Sequence, residues 1–80
     1  MAADPHAETV NRVIQALRDE RKKKGLSQER LATMAGLSRT GVRHVESGQF
    51  RPTLYTMLKL AEALDLDFPG LLRKVRSQRV

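Results

Sequence analysis

The sequence predicts an all-α protein, a compact bundle of five short helices, and three observations lead to this prediction. Apolar residues recur at helical spacing over most of the chain. No segment alternates apolar and polar residues as a half-buried strand does, and no Asn-Gly or Asp-Gly hairpin turn occurs. Residues of the types that start and stop helices flank every helical segment, and they set the boundaries that follow.

The first two helices are defined by their apolar spacing and by the residues at their ends. The first is predicted over 9–24, and Gly25 ends it. The second is predicted over 28–35. Ser27 is its expected N-cap, and Gly36 is expected to supply the left-handed conformation that terminates it.

The third and fourth helices are also bounded by residues that favour helix starts and ends. The third is predicted over 39–47, capped by Ser38 and stopped by Gly48. The fourth is predicted over 54–64, and Thr53, which follows a proline, is its expected N-cap.

The fifth helix is predicted over 68–76, because Pro69 suits the first turn of a helix. The loops between all five segments are short, as compact helical domains prefer. We therefore expect a single domain with loose ends, which places the domain at 9–76 and the ends at 1–8 and 77–80.

The charge balance favours an anionic partner. The net charge is +6, and the basic residues concentrate in segments 18–24, 38–51 and 73–79. Nucleic acid is the first candidate for such a chain. One tyrosine and two phenylalanines are too few for a surface that stacks single-stranded bases, so double-stranded DNA is favoured. The alternative is that these charges only solvate helix faces.

Several other classes of protein are disfavoured. The chain has no cysteine and two histidines far apart, so we expect no disulfide, no metal site and no cofactor. No nucleophile–base pair or carboxylate pair stands out, so we expect no enzymatic activity, and no small-molecule site is evident. No apolar run approaches the roughly 18 residues of a membrane span, and no signal peptide is visible, so cytoplasmic residence is expected.

The centre of the chain has the pattern of two tightly crossing helices. Small apolar residues lie on both sides of the turn at 36–38, namely Ala32, Ala35, Val42 and Val45. Small side chains let two helices approach closely, and glycine permits the sharp reversal between them. This combination predicts a helix-turn-helix formed by the second and third helices.

A longer series of residues carries a family resemblance. The series comprises Lys24-Gly25-Leu26-Ser27-Gln28, Leu31-Ala32, Gly36-Leu37-Ser38, Val42, Val45-Glu46-Ser47-Gly48, Arg51-Pro52 and the run from Met57 to Leu64. In this order and spacing it resembles the Cro/CI-type, or Xre-like, helix-turn-helix family of lambda repressor and Cro, over about residues 9–72. The resemblance implies a lambda-repressor-like fold and a regulator of transcription that binds a palindromic operator as a homodimer.

The third helix is the expected base-reading element. Its face opposite the valines carries no acidic residue. Arg39 and Arg43, one turn apart, can contact guanine N7 and O6 or phosphates. Thr40 suits a thymine methyl group or a phosphate, and His44 can donate to either. The alternative is that these four residues are ordinary exposed side chains.

Phosphate contacts are implied by the resemblance. Gln28 opens the second helix, where relatives typically hold a backbone phosphate, and unpaired helix N–H groups suit an anion there. Arg51 is the strongest candidate in the loop after the third helix, whereas Phe50 is interpreted as a packing residue. The full expected set is Gln28, Ser38, Ser47, Gln49, Arg51 and Thr53.

A structural ion pair is also expected. Arg21 lies in phase with the apolar residues of the first helix, so its charge needs a partner or a path to water. Glu46 flanks the inner face of the third helix. The family pairs an arginine and a glutamate at these two positions, and we predict the same pair here.

Apolar residues late in the chain exceed what a small core needs, and we expect part of this surface to form the dimer interface. The alternative is that most of them close the core of the monomer. The expected interface residues are Leu60, Leu64, Leu66, Phe68, Leu71, Leu72 and Val75.

The leading interpretation is a sequence-specific regulator that binds double-stranded DNA, and its length and plan are most similar to the controller proteins of restriction–modification systems. An antitoxin-type or other protein-interaction module with secondary DNA binding is the alternative. A non-specific basic coat for nucleic acid or membrane is a further alternative, and it predicts little loss of specificity when Arg39 or Arg43 is changed.

Overall fold

The computed structural model describes residues 4–77. Within this range the chain forms five α-helices and no strand, which confirms the predicted all-α class. The helices are α1 (Pro5–Lys23), α2 (Gln28–Ala35), α3 (Arg39–Ser47), α4 (Leu54–Ala63) and α5 (Phe68–Ser77). None of them combines the length with the apolar character that crossing a bilayer requires.

Hydroxyl side chains start the three central helices, as the sequence predicts. Ser27 Oγ accepts a hydrogen bond from the Arg30 backbone N–H at 2.9 Å, and Ser38 Oγ accepts one from Gly41 at the same distance. Thr53 Oγ1 accepts from the Thr56 N–H at 3.1 Å. Each hydroxyl satisfies a backbone N–H that has no partner within the first helical turn. Helices α2 and α3 consequently have the predicted bounds.

The predicted start of α1 is wrong. The helix begins at Pro5, because Asp4 is its N-cap and proline is well suited to the first helical position. Asp4 Oδ1 accepts a hydrogen bond from the His6 backbone N–H at 2.9 Å. Residues 5–8 are therefore helical and not a loose end. At the other end α5 extends to Ser77; the rest of the predicted loose ends, 1–3 and 78–80, lies outside the described residues.

Helix α4 ends at Ala63, one residue earlier than predicted, in a left-handed turn without glycine. Asp65 has φ 57° and donates its N–H to the Glu62 carbonyl at 3.0 Å. The Leu66 N–H bonds to the Ala61 carbonyl at 2.8 Å. These two bonds form the Schellman arrangement that usually has glycine at the left-handed position.

The core is shared by all five helices. Helix α2 packs against α3 and α4, while α1 packs against α3 and α5. The most deeply buried large side chains come from the first four helices and from the residue that follows α4: Val13, Leu31, Val42, Leu60 and Leu64. The helix-turn-helix is thus held between α1 on one side and α4 on the other.

The expected dimer interface is wrong for four residues. Leu60, Leu64, Phe68 and Val75 are 0–8% exposed and belong to the core of the monomer. The reason is that α5 folds back onto α1 and α4, so its apolar face is already covered. The remaining three expected residues, Leu66, Leu71 and Leu72, are half-buried against that core.

Candidate nucleic-acid interface

The turn between α2 and α3 fixes the position of α3. Gly36 has φ 68°, a conformation that side chains with a Cβ disfavour, and it reverses the chain after α2. The Leu37 N–H then bonds to the Ala32 carbonyl at 2.8 Å. On the inner face of α3, Val42 is fully buried and Val45 is 7% exposed. The opposite face of α3 consequently points away from the core.

That outer face carries the four residues expected to read bases. Arg39, Thr40, Arg43 and His44 are all exposed. Within residues 4–77 neither arginine has an acidic partner within 4.0 Å. The guanidinium groups of Arg39 and Arg43 are thus available to an external acceptor, and their positive charge is not neutralised by a neighbouring carboxylate.

The residues expected to bind phosphate lie at both ends of α3, in the loop that leads from it to α4, and at the start of α2. Ser38, Ser47, Gln49, Arg51 and Thr53 are exposed. Three of these also make local contacts within the protein. Ser38 and Thr53 are the N-caps described above, and the third is Ser47. Ser47 Oγ donates to the His44 carbonyl at 2.9 Å and accepts from the Gln49 N–H at 3.3 Å.

Gln28 is half-buried and contacts a buried carboxylate. Its Nε2 donates to Glu46 Oε1 at 3.1 Å. The amide is therefore oriented by α3, although it belongs to α2. A shallow depression beside it is lined by Ser27, Gln28, Glu29, Arg21 and Arg39.

Arg21 and Glu46 form the ion pair that the family resemblance implies. Arg21 Nε donates to Glu46 Oε2 at 2.7 Å, and Arg21 Nη2 donates to Oε1 at 3.0 Å. The Arg21 Nη1 donates to the Leu26 carbonyl at 2.7 Å. The side chains are 11% and 7% exposed, so the pair is nearly excluded from water. It joins α1 and the following loop to the C-terminal half of α3.

Phe50 does not pack in the core, contrary to its interpretation from the sequence. Its side chain is 59% exposed. The ring lies 5.1 Å from the His44 ring, measured between centroids, at an interplanar angle of 48°. Phe50 therefore belongs to the same exposed surface as His44.

Asp4 is a charged neighbour of this surface that the sequence alone does not indicate. Its Oδ2 lies 4.0 Å from Arg51 Nη2. The backbone N–H of His6 lowers the pKa of the Asp4 carboxyl, and Arg51 contributes to the same direction. The Asp-Pro sequence is a signal for the cap, but the contact with Arg51 depends on the tertiary fold.

A second surface missed from the sequence lies on α4. Leu54, Tyr55 and Leu58 are 45–66% exposed, and Met34 of α2 is 47% exposed beside them. The Nζ of Lys59 lies 4.6 Å from the centroid of the Tyr55 ring. The spacing of Leu54 and Leu58, one turn apart and out of phase with Leu60 and Leu64, was the available signal.

No cluster of three or more histidine, aspartate or glutamate side chains suited to a metal ion occurs in the described part of the chain. The arrangement of the α3 surface is instead one of exposed donors: guanidinium, hydroxyl, imidazole and amide groups. Such groups match the acceptors of base edges and phosphate oxygens.

Comparison with known proteins agrees with this geometry. A family model described as helix-turn-helix matches residues 17–71, a range that runs from the end of α1 into α5. The chain is 40% identical over 68 residues to the HTH-type transcriptional repressor RghR of Bacillus subtilis (strain 168). That match covers 84% of this chain and 48% of the repressor, so the chain spans about half of that relative's length.

Two further similar proteins are controllers by name. The chain is 41% identical over 58 residues to control protein C.SmaI of Serratia marcescens, covering 72% of this chain and 69% of that protein. The crystal structure of the restriction-modification controller protein C.AhdI from Aeromonas hydrophila superposes with a TM-score of 0.70 at 48% identity. The superposition covers 82% of this chain and 97% of that one.

Proposed function

Since the chain belongs to the helix-turn-helix family, Cro/CI type, we propose that it regulates transcription by binding duplex DNA in a sequence-specific manner. The observation that carries the proposal is the outer face of α3. Arg39, Thr40, Arg43 and His44 are all exposed there, on a helix whose inner face is anchored by buried valines. An α-helix of this kind fits the major groove, where each base pair presents a distinct pattern of donors and acceptors.

Phosphate contacts would fix the register of α3 in the groove. Arg51 and Gln49 extend from the loop after α3, and Gln28 lies at the start of α2. Contacts of this type position a protein on the duplex without reading the sequence. The proposed division is therefore base reading by α3 and backbone binding by the residues that flank it.

We also propose that the regulator is of the controller type found in restriction–modification systems. The support is the similarity to C.SmaI and C.AhdI, whose names carry that description. The superposition covers 97% of the C.AhdI chain and 82% of this one, so the similarity extends beyond the helix-turn-helix. The proposed activity is binding and not catalysis.

A homodimer on a palindromic operator is part of the proposal, with a revised interface. A two-fold axis brings the same patch of two copies together. The exposed apolar face of α4, with Met34 beside it, is the best candidate for that patch. Lys59 and Glu62 border the face, so two antiparallel copies can match the lysine of one with the glutamate of the other.

Selection of bound duplexes from a random pool tests the proposal. Wild-type protein should enrich one sequence, expected to be an inverted repeat. Arg39→Ala or Arg43→Ala should each cost about 1–3 kcal/mol on that sequence and little on random DNA.

Arg73→Ala is the matched control, because it removes the same charge from an exposed position on α5. It should leave the preference between selected and random duplexes unchanged. If the α3 variants weakened selected and random DNA equally, the proposed base readout would be wrong.

A further inference from the structure

The carboxylate of Asp4 is held in place beside Arg51. Its Oδ1 caps α1 by accepting the His6 N–H at 2.9 Å. Its Oδ2 consequently faces Arg51 Nη2 at 4.0 Å. The two side chains are 54% and 74% exposed, so each is accessible to a third group. A residue 47 positions earlier in the chain thus lies beside the candidate phosphate-binding arginine.

Carboxylate and phosphate oxygens compete for the same donors. A guanidinium group binds either anion with its N–H groups. A phosphate that binds Arg51 would lie within the screening length of about 10 Å from Asp4, so the two negative charges would repel each other. The hydrogen bond from the His6 N–H lowers the pKa of the Asp4 carboxyl, because it stabilises the charged form.

We propose that Asp4 competes with the DNA backbone for Arg51 and thereby limits the affinity of this surface for every duplex. The inference rests on the proposed function. Arg51 faces phosphate and not a base in that proposal, so the competition acts on selected and random sequences alike. The preference set by α3 is unaffected, whereas the time the protein spends on random DNA is reduced.

The substitution Asp4→Asn removes the negative charge and keeps the N-cap of α1. Asparagine is as good an N-cap as aspartate, so α1 should keep its start and the protein its unfolding midpoint. At about 0.1 M salt, affinity for both selected and random duplexes should rise about 1.4- to five-fold, the range expected for an exposed ion pair. The gain should shrink as salt rises, because screening weakens both the ion pair and the repulsion.

Asp19→Asn is the charge-matched control. Asp19 is exposed on the same helix, about 22 Å along the axis from Asp4, which is well beyond the screening distance of about 10 Å at 0.1 M salt. This variant should change affinity much less than Asp4→Asn. Equal gains from the two variants would overturn the proposal, since only net charge would then matter.

The double variant Asp4→Asn with Arg51→Ala tests the route of the effect. In an Arg51→Ala background the Asp4→Asn gain should disappear. If the gain persists, Asp4 acts on DNA without Arg51, and the competition is refuted. Wild-type protein that binds no duplex would refute the proposed function itself, whereas binding that is insensitive to Asp4→Asn would refute this inference alone.

Discussion

At the scale of single residues, the Arg21–Glu46 pair is the most consequential contact within the fold. The pair is bidentate, nearly buried, and joined to the Leu26 carbonyl by a third hydrogen bond. Replacing both partners by apolar residues can be neutral, but removing one leaves a buried charge without a partner. The sequence signal was a charged residue in phase with an apolar stripe, which needs a partner or a path to water. The family resemblance then named Glu46 as that partner.

We expect Glu46→Ala to lower the free energy of unfolding by about 3–5 kcal/mol, because the Arg21 guanidinium would remain buried and unpaired. Urea denaturation followed by circular dichroism measures this. Glu8→Ala is the control: it removes an exposed pair with Arg12 at 2.9 Å, and such pairs contribute about 0.3–0.5 kcal/mol. If Glu46→Ala lowered the free energy of unfolding by less than Glu8→Ala does, the structural role of the pair would be contradicted.

Arg51 should reveal its role through salt dependence. We expect Arg51→Ala to weaken selected and random duplexes by the same factor and to reduce the slope of log affinity against log salt by about one. Titrations at several salt concentrations measure both. Arg39→Ala serves for comparison, since it should change the ratio between the two duplexes. A changed ratio for Arg51→Ala would assign it to base reading.

At the scale of helices, local chemistry decided which boundaries could be predicted. Ser27 and Ser38 cap α2 and α3 as expected, because one hydroxyl satisfying one N–H is a local event. The start of α1 was missed because an Asp-Pro cap at residues 4–5 precedes the first apolar residue of the stripe. The Asp4–Arg51 contact was beyond sequence reasoning, since it depends on how α1 packs beside α3.

The turn after α4 offers a stabilising substitution. We expect Asp65→Gly to raise the free energy of unfolding by about 0.5–1 kcal/mol, because Asp65 holds a left-handed φ of 57° that glycine adopts without steric cost. Gly25→Ala is the opposite experiment. Gly25 has φ 70°, and no atom lies within 4 Å of the Cβ that alanine would add. The expected decrease of about 1 kcal/mol in the free energy of unfolding would therefore come from the backbone conformation alone. Thermal unfolding measures both; destabilisation by Asp65→Gly would show that the aspartate side chain itself stabilises the turn.

At the scale of the whole molecule, the fold separates a polar α3 surface from an apolar α4 surface. The described chain measures 37 × 24 × 21 Å along its principal axes, so both surfaces belong to one small body. The exposed face of α4 was not predicted, because two apolar stripes on one helix cannot be ranked until the packing of α5 is known. Once Leu60 and Leu64 are buried, Leu54 and Leu58 must point outward.

We expect Leu58→Glu to abolish the proposed dimer while leaving the monomer folded. Leu58 is 45% exposed, so the monomer tolerates a charge there, whereas a two-fold interface would bury that charge twice without a partner. Sedimentation equilibrium measures the mass, and circular dichroism checks the helix content. Leu64→Ala is the contrasting variant: it is fully buried and should lose about 2–5 kcal/mol of stability. Assembly of Leu58→Glu at wild-type concentrations would place the interface elsewhere.

The hydrogen bond from Gln28 to Glu46 has a consequence for how DNA shape would be sensed. The amide nitrogen of Gln28 carries two hydrogens, and one of them is directed at Glu46 Oε1. In the proposed complex the other would donate to a backbone oxygen of the duplex. The position of the DNA backbone and the tilt of α3 would then be linked through the Gln28 side chain. A DNA site with an unusual groove width would move the backbone oxygen away from Gln28 and weaken this hydrogen bond. The protein should therefore bind operators with different affinity even when they differ only at base pairs that it does not contact.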